Sequence, residues 1–477
     1  MAEFRGGYTG RTLRVDLSAQ TISVEETPDP AFWLGPRGWQ ALIGWREVLP
    51  GVGPFDPENR LVFSAGPLVG TGAPTAGRVT VSSISPRGYP EPMWTWASMG
   101  GYWGAELKYA GYDSVIIQGQ ASSPCYLLIQ DDKVTLEDAS DLWGQGTYGT
   151  QQALLARFGR VYQFAAFGPA GENRVRFASI IHRLNNAVGN GGFGGVMGAK
   201  GLKAIVVRGT RGVRIAEPEG FLDAVRYVWN LTRGGLGCVG QPEEGFPVVA
   251  CTHGCSVKCW TRLRPAPGRY VPSLRHGMAT CVESAWINDS HPGYEGVSVR
   301  GERLVIPQPS GFGDEAGTDL MNLTEDMGLT GWCFDTWARY FGTLKTLGID
   351  QVLGQPLDID KPEWWRDWLL QVAHREGPGD EYAEGFARFY EKHHIGPESL
   401  AEMLESAGSR GHGWHRDGRT MERHPSPFWE YAALLYAVST RDASPSTHGF
   451  LFLTYLARRP GETGPTVTVP ERVQELS

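Results

Sequence analysis

Gly189-Asn-Gly191-Gly-Phe-Gly194-Gly-Val-Met-Gly-Ala-Lys-Gly-Leu-Lys-Ala204 decides how the first half of this chain is read. Its opening formally matches G-x-G-x-x-G, a string that invites a dinucleotide fold. That fold needs a strand, the glycines, a long helix and then an acidic residue about 20 positions on. Behind Gly194 the chain instead runs through Met197-Gly198-Ala199-Lys200-Gly201 into a β-rich stretch, leaving no room for a long helix. A second match, Gly144-Gln-Gly146-Thr-Tyr-Gly149, precedes a helical pattern, but Leu142 and Trp143 make a poor strand in front of it. A nicotinamide enzyme is therefore disfavoured. What remains is a set of glycine turns whose bare backbone N–H groups can cradle a phosphate-bearing cofactor of another kind.

Two more glycine groups lie upstream, at Gly66, Gly70 and Gly72 and at Gly100, Gly101 and Gly104. Between the glycines the sequence reads mainly as strands. Leu13, Val15 and Leu17 alternate with Arg14 and Asp16, as in a half-buried strand over 12–17. Further β-rich runs fall at 61–64, 78–83, 114–118, 125–130 and 204–207, separated by turn signals such as Pro86-Arg87-Gly88. One helix, over 151–158, is expected to interrupt them. Past about residue 213 the periodicity becomes helical. Trp337, Phe341 and Leu344 share a face in a helix over 335–347. Asp360-Lys-Pro362-Glu363 reads as a capping box with proline at the first helical position. A further apolar helix is expected over 428–438. The fold class is thus α+β: a β-rich unit over 1–212, a helical one over 213–424, and an incomplete third helical segment over 425–477.

Hydrophobic residues make up 41% of the 477-residue chain and charged residues 20%, ordinary values for a globular protein. A formal net charge of −8 argues against a phosphate-neutralising, nucleic-acid-binding surface. No apolar run reaches membrane-spanning length and the N-terminus lacks a secretion-signal pattern, so a cytoplasmic location is expected. Seven cysteines are too few, and odd in number, for a disulfide framework. Three of them crowd together as Cys251-Thr-His-Gly-Cys255-Ser-Val-Lys-Cys259. Soft thiolates at that spacing select an iron–sulfur cluster or zinc over hard cations. A cubane cluster takes four cysteines, and spacing alone leaves Cys238, Cys281 and Cys333 open as the fourth. For zinc, His253 is the alternative fourth ligand.

Ser64-Ala-Gly-Pro-Leu-Val-Gly-Thr-Gly-Ala-Pro-Thr-Ala-Gly-Arg78 and Gly100-Gly-Tyr-Trp-Gly-Ala-Glu-Leu-Lys-Tyr-Ala-Gly-Tyr-Asp113 resemble two pterin-contacting segments of the tungsten-pterin aldehyde:ferredoxin oxidoreductase family. Pro169-Ala-Gly-Glu-Asn173 and Gly189–Ala204 are similar to two more, in the family's order. The resemblance implies a β base domain carrying a tungsten (or molybdenum) bis-pterin. It places Arg78 as a pterin-binding arginine. Ser98 and Gly100 stand at the family's Asn-x-Gly and Asn190 and Gly191 at an Arg-Gly step, with Gly101 and Gly192 beside them as further cofactor-binding candidates. Ser98 and Asn190 both depart from the pattern. The family's magnesium, bridging the pterin phosphates, would be held there partly by backbone carbonyls. Asp326-Met-Gly328-Leu329-Thr330 resembles the first D-x-x-G-L-D pterin motif, with Thr330 in place of the final aspartate. Gly377–Gly385 resembles a further family stretch. The segment 439–448 resembles the one that brings a histidine to the metal, so His448 is the candidate for proton transfer. Cys251, Cys255 and Cys259 align with the family's [4Fe–4S] segment, with one extra residue between the first two. Nothing after His448 resembles the second pterin motif. A fragment, a partner that completes the chain, and a shortened relative all remain open.

The resemblance implies oxidation of aldehydes to carboxylic acids, with electrons leaving through the cluster to ferredoxin or an iron–sulfur subunit, in an oligomer. Reduction of an aromatic acyl-CoA is the alternative within the family. A non-catalytic electron-transfer or assembly subunit is the alternative from another class. Trp332, Trp337 and Trp365 are candidates for a ring-shaped substrate pocket, and otherwise core.

Overall fold

The computed structural model describes residues 6–33, 35–74, 76–232, 253–254, 262–279, 297–299, 302–304 and 312–396. The chain opens with a hairpin, β1 (Arg11–Asp16) and β2 (Thr21–Glu26), followed by α1 (Pro30–Trp33) and α2 (Pro36–Glu47). Then come β3 (Leu61–Ala65), β4 (Val79–Ser85), β5 (Met93–Met99), α3 (Trp103–Tyr109) and β6 (Ser114–Gln118). These strands form a six-stranded sheet in the order β2-β1-β6-β3-β4-β5, antiparallel except where β1 runs parallel to β6. A second six-stranded sheet has the order β11-β10-β9-β12-β7-β8. Its elements are β7 (Cys125–Gln130), β8 (Lys133–Asp138), α4 (Thr147–Phe158), β9 (Gln163–Ala166), α5 (Pro169–Glu172), β10 (Ile181–His182), β11 (Asn186–Ala187), α6 (Phe193–Ala199) and β12 (Leu202–Arg208).

Period-2 patterning explains why these strands stack as two layers. Leu13, Val15, Phe63, Val81 and Ile117 of the first sheet share one buried cluster with Leu127, Ile129, Ile205 and Val207 of the second. The opposite face of β1 carries Arg14, whose guanidinium pairs with Glu25 and Glu47. Short helices α3 and α6 lie between the sheets, each packing β3 on one side and β12 on the other. Trp103, Leu107, Val196 and Met197 are their contribution to the shared core. The glycine-rich composition of α6 is what lets it fit. A Cβ at Gly198 would stand 2.0 Å from the Gly171 carbonyl oxygen.

Helices α7 (Pro218–Thr232), α8 (Gly313–Met327), α9 (Gly331–Thr346), α10 (Pro362–His374), α11 (Pro378–Ala383) and α12 (Phe386–His393) make up the rest of the described chain, apart from short hairpins. Helices α8 to α12 build a second core, largely aromatic, against α4, α5 and the segment after α5. It joins Tyr148, Val175, Phe177 and Ala178 to Trp337, Tyr340, Phe341, Trp365, Trp368 and Tyr382. Trp337 and Trp365 are core residues. The Trp337 ring stacks on Phe341 at 5.5 Å, and the Trp365 indole N–H donates to the Ile359 carbonyl at 2.7 Å. The side chain of Trp332 and the helix expected over 428–438 lie outside what is described.

Every strand expected from alternation is present, with ends shifted by at most two residues. Three expectations need correction. The first half contains α2, α3 and α6 as well as the helix expected there, which begins earlier, at Thr147. Strand β5, rich in tryptophan and methionine, gave no alternation signal, yet it pairs with β4 along its whole length. The capping box does not form. The N-cap of α10 is Lys361, with no side-chain cap, and the Asp360 carboxylate lies 3.3 Å from Lys345 instead. Pro362 still starts the helix, because its fixed φ and missing N–H suit that position. Among the described residues no helix is long and apolar enough to cross a membrane.

Candidate functional site

Strand β4 organises the region. At its N-terminal end Arg78 Nη1 donates to Ser98 Oγ at 3.4 Å. The antiparallel register pairs Val79 with Met99, so the Gly100–Gly101 turn leaves the sheet at the same end. At the C-terminal end Ser85 Oγ donates to the Gly191 carbonyl at 2.9 Å. Gly192 presses there against Pro86 and the Arg176 carbonyl. Asn190 is held beside this turn by Arg87 Nη1, 2.5 Å from its Oδ1. The structure thus gathers Arg78, Ser98, Gly100 and Gly101 at one end and Asn190, Gly191 and Gly192 at the other. The seven residues of β4 separate them, ~20 Å at ~3.3 Å per residue.

Gly101 must be glycine. Its φ is 90°, and a Cβ would stand 2.2 Å from Cδ2 of His182. His182, which the sequence did not single out, is the support of this turn. Its Nδ1 lies 2.7 Å from the Phe164 carbonyl, and its Nε2 accepts the Tyr102 N–H at 3.0 Å. A backbone donor at Nε2 and a carbonyl at Nδ1 fix a neutral tautomer protonated on Nδ1. Burial pulls its pKa down to about 3, because the site offers a charged imidazole no water. Only its place in the short strand β10, next to glycine-bearing segments, could have drawn attention to it.

The cysteine segment meets this same turn. Cys251, Cys255 and Cys259 lie outside the described residues, as do Cys238, Cys281 and His448. Cys333 falls in α9, with its side chain undescribed. The described pair His253–Gly254, between the first two cysteines in sequence, is seated on the β-rich unit. The His253 N–H donates to the Gly101 carbonyl at 3.0 Å. Its ring stands edge-on to Tyr102 and Tyr109, at centroid distances of 6.0 and 6.4 Å. A Cβ at Gly254 would lie 2.6 Å from the Ala73 carbonyl. Tyr109 OH donates to Gly70 at 2.8 Å and lies 3.5 Å from His253 Nε2. The Arg183 guanidinium covers the ring of Tyr102 at 3.9 Å. One motif from each of two upstream glycine groups therefore meets the cysteine segment. Cys125, buried in β7, has its thiol pushed up to about 11 by burial and sits away from this region.

The D-x-x-G-L-T turn closes a third side. Gly328, the left-handed cap of α8, accepts the Ser179 N–H at 2.7 Å, and Leu329 bridges to Ala178. Gly194 donates to the Ala178 carbonyl on the neighbouring side. Thr330, buried, caps α9. The motif and the Gly191–Gly194 turn are thus joined through Ala178–Ser179. Asp326 also has a partner in the β-rich half. Its Oδ1 accepts the Tyr148 N–H at 2.9 Å, at the N-terminus of α4. Burial raises its pKa, against the Tyr148 hydrogen bond and the Lys203 charge, which lower it. The carboxylate that resembles a pterin ligand is engaged with the second glycine string.

Residues 12–209 match the family described as aldehyde ferredoxin oxidoreductase, N-terminal domain. The tungsten-containing aldehyde ferredoxin oxidoreductase of Pyrococcus abyssi is 36% identical over 425 residues, covering 81% of this chain and 67% of that protein. Its namesake from Pyrococcus furiosus is 34% identical over 448 residues, covering 85% and 72%. Among solved structures, the active site complex BamBC of benzoyl coenzyme A reductase with 1,5-dienoyl-CoA superposes with a TM-score of 0.67 at 27% identity. It covers 85% of this chain and 66% of that one. This chain spans about two-thirds of the length of these relatives.

Proposed function

The chain belongs to the aldehyde ferredoxin oxidoreductase family, a family of oxidoreductases, and from that premise we propose a tungsten (or molybdenum) bis-pterin, iron–sulfur enzyme that oxidises aldehydes to carboxylic acids and passes electrons to ferredoxin. The observation that carries this reading is the seat of His253–Gly254 on Gly101 and Ala73. His253 and Gly254 stand between Cys251 and Cys255 in sequence, so their contact with the glycine turns supports a short electron path between two redox groups. On the face of β4 that carries Ser85, the hydroxyl of Ser83, and beyond it that of Ser179, are buried without a protein hydrogen-bond partner. Buried hydroxyls normally have one, so these residues suit a polar ligand running along β4 toward the Gly328 turn. The residues present fit a bis-pterin in that respect.

When bound, the metal–pterin group supplies the two-electron chemistry, and the protein's part is positioning and electrostatics. Arg78 would direct its guanidinium at a pterin phosphate. The backbone at Ser98, Gly100 and Gly101 and at Asn190, Gly191 and Gly192 would line the cofactor, with magnesium between the phosphates. Asp326, Gly328, Leu329 and Thr330 would meet the pterin, Asp326 through the carboxylate whose Oδ1 also accepts the Tyr148 N–H. Cys251, Cys255 and Cys259 would hold a [4Fe–4S] cluster, with Cys238, Cys281, Cys333 or a partner's group as fourth ligand. His448 would carry the proton. Residues 1–212 would form the tungstopterin-binding unit, 213–424 the cysteine-bearing helical unit and 425–477 a third segment. The protein would work in the cytoplasm as an oligomer.

A second reading is reduction of an aromatic acyl-CoA, favoured by the likeness to the benzoyl coenzyme A reductase complex across most of the chain. Elemental analysis of protein purified without oxygen, with dye reduction by aldehydes and oxidation of a reduced dye by aromatic acyl-CoA, separates the readings. Near-stoichiometric tungsten or molybdenum, about four irons and aldehyde-driven dye reduction are expected. Acyl-CoA turnover with the same metals would transfer the assignment to the second reading. Iron without tungsten or molybdenum would point to an electron-transfer subunit, and zinc alone would overturn the cluster.

A further inference from the structure

Trp365, a sequence candidate for a ring-shaped pocket, is turned into the core, but its neighbours do line a cleft. Trp364, Asp367, Trp368 and Gln371 lie at i, i+3, i+4 and i+7 on α10, a single helix face. Against that face stands the hairpin of Gln351–Val352 and Gln355–Pro356. Between them is an open cleft of about 210 Å³, lined by Gln355, Pro356 and Asp358 and by those four residues of the helix. Two hydrogen bonds fix its walls. The Trp364 indole N–H donates to the Pro356 carbonyl at 2.8 Å, and Gln355 Nε2 donates to Gln371 Oε1 at 3.0 Å. Val352, Leu357 and Ile359 anchor the hairpin and the segment after it in the aromatic core, so the cleft is preformed.

The lining leaves hydrogen-bonding capacity unused. Lys361 engages Oδ2 of Asp358 at 2.8 Å, and Arg366 engages Oδ1 of Asp367 at 2.7 Å. The other oxygen of each carboxylate, Gln355 Oε1 and Gln371 Nε2 have no partner among the described residues. The Trp368 indole N–H is buried without a protein partner, where such a group normally has one. This set of groups selects a class of ligand. Each carboxylate already has a cation, so the cleft has no excess charge that calls for an organic cation, and the carboxylates repel an anion. A hydrocarbon would leave the amides and carboxylates desolvated and unpaired. Three of the unused groups are acceptors, and a nucleobase has few donors to offer them. A sugar ring supplies a donor and an acceptor at every hydroxyl, with an apolar C–H face to lie against an indole. We propose that this cleft binds a single pyranose ring, its hydroxyls on Asp358, Asp367, Gln355 and Gln371 and its C–H face on Trp364. The cleft is smaller than the ~300–1,000 Å³ of drug-sized sites, which suits one ring. The site stands apart from the proposed redox chemistry and does not rest on it.

Calorimetric titration of the full chain with a panel of methyl pyranosides (glucoside, galactoside, mannoside and xyloside) tests the proposal. Methyl glycosides carry no free aldehyde, so the result is independent of aldehyde turnover. Saturable binding of at least one is expected. Trp364→Ala should weaken it about tenfold or more, and Trp364→Phe, which keeps an aromatic face, should stay within about threefold. Asp367→Ala, at an exposed position whose loss leaves the core intact, should also weaken it about tenfold. That variant decides the matter if Trp364→Ala does not melt cooperatively. Absence of saturable binding across the panel overturns the proposal. So does binding that is indifferent to Asp367→Ala. Adenosine binding in place of the glycosides, weakened by the same variants, would overturn the sugar assignment in favour of a nucleoside.

Discussion

The string G-x-G-x-x-G occurs at Gly144–Gly149 and again at Gly189–Gly194, and the fold puts the two to different use. The first opens α4, twelve residues long, with Gly146 as N-cap. A helix N-terminus of this kind attracts anions, and here the place is taken by the chain's own Asp326, which accepts the Tyr148 N–H. The second makes a left-handed turn at Gly192, pressed between the Arg176 carbonyl and Pro86, before the seven-residue α6. Beside that turn Arg87 holds Asn190, Arg176 donates to Pro86 and Ser85 donates to Gly191. Identical spacing therefore yields one turn that meets an internal carboxylate and one packed against backbone. What separates them is which distant segment arrives.

That contrast can be broken by substitution. Gly192→Ala should be the most damaging, because φ is 68° and the new Cβ would lie 1.9 Å from a backbone oxygen that cannot swing away. Steric overlap and a left-handed backbone together point to a loss of about 4 kcal/mol in urea unfolding. The Gly101 turn offers a titratable version of the same close approach, since its neighbour is His182. That imidazole's folded pKa, about 3, lies below its unfolded value of 6.5. Its contribution is therefore fully present above pH 6.5 and is lost as pH falls toward 3. By linkage this amounts to ~3 kcal/mol at pH 4. His182→Gln, which keeps a donor and an acceptor, should flatten the acid limb of the stability curve between pH 6.5 and 4. An unchanged limb would remove His182 from the account.

Smaller effects sharpen the first string. Gly146→Ala has an ordinary φ of −61°, but its Cβ would meet the Asp326 carboxylate at 2.3 Å. That side chain can move, at the expense of its Tyr148 bond, for a loss of ~1–2 kcal/mol. Gly144→Ala meets nothing within 4 Å and carries only the strain of φ 84°, ~1 kcal/mol. If Gly192→Ala proves no worse than Gly144→Ala, the claimed difference between the strings is wrong. Asp326→Asn should be mildest. Burial raises the Asp326 pKa above its unfolded value. Stability from this group is thus fullest below pH 3.8 and declines as pH rises through the folded pKa. The amide keeps the acceptor for Tyr148 without that decline, so at pH 7 it should match the native chain or exceed it by up to ~1 kcal/mol.

Much of the β-rich layer was legible because its signals are local. Alternation in 12–17 and the continuous apolar runs at 114–118 and 125–130 mark strands whoever their neighbours are. Strand β5 was illegible because its two faces do not differ in hydropathy: Thr95, Ala97 and Met99 are buried, while the large apolar Trp94 and Trp96 lie half-buried against Gly44 and Arg37. Asp360 kept the spacing of a capping box and lost the role to a lysine partner, a choice made by tertiary proximity. Glycines at the site could be counted from the sequence, whereas their partners could not. His182 and Arg176 lie about 80 and 90 residues from Gly101 and Pro86, which they support, and no periodicity reports such a distance.

By itself the sequence determined the α+β fold class, the family, and the glycine segments proposed to line a cofactor, because strand alternation, helical periodicity and glycine strings are properties of neighbouring residues. Only the tertiary structure decided that the His253–Gly254 turn seats on Gly101, that Asp326 closes α4, and that Arg176 donates to Pro86. Each of these is a contact between segments far apart in the chain. Such contacts depend on how two sheets and a helical layer pack, and their energies are not written in any local pattern.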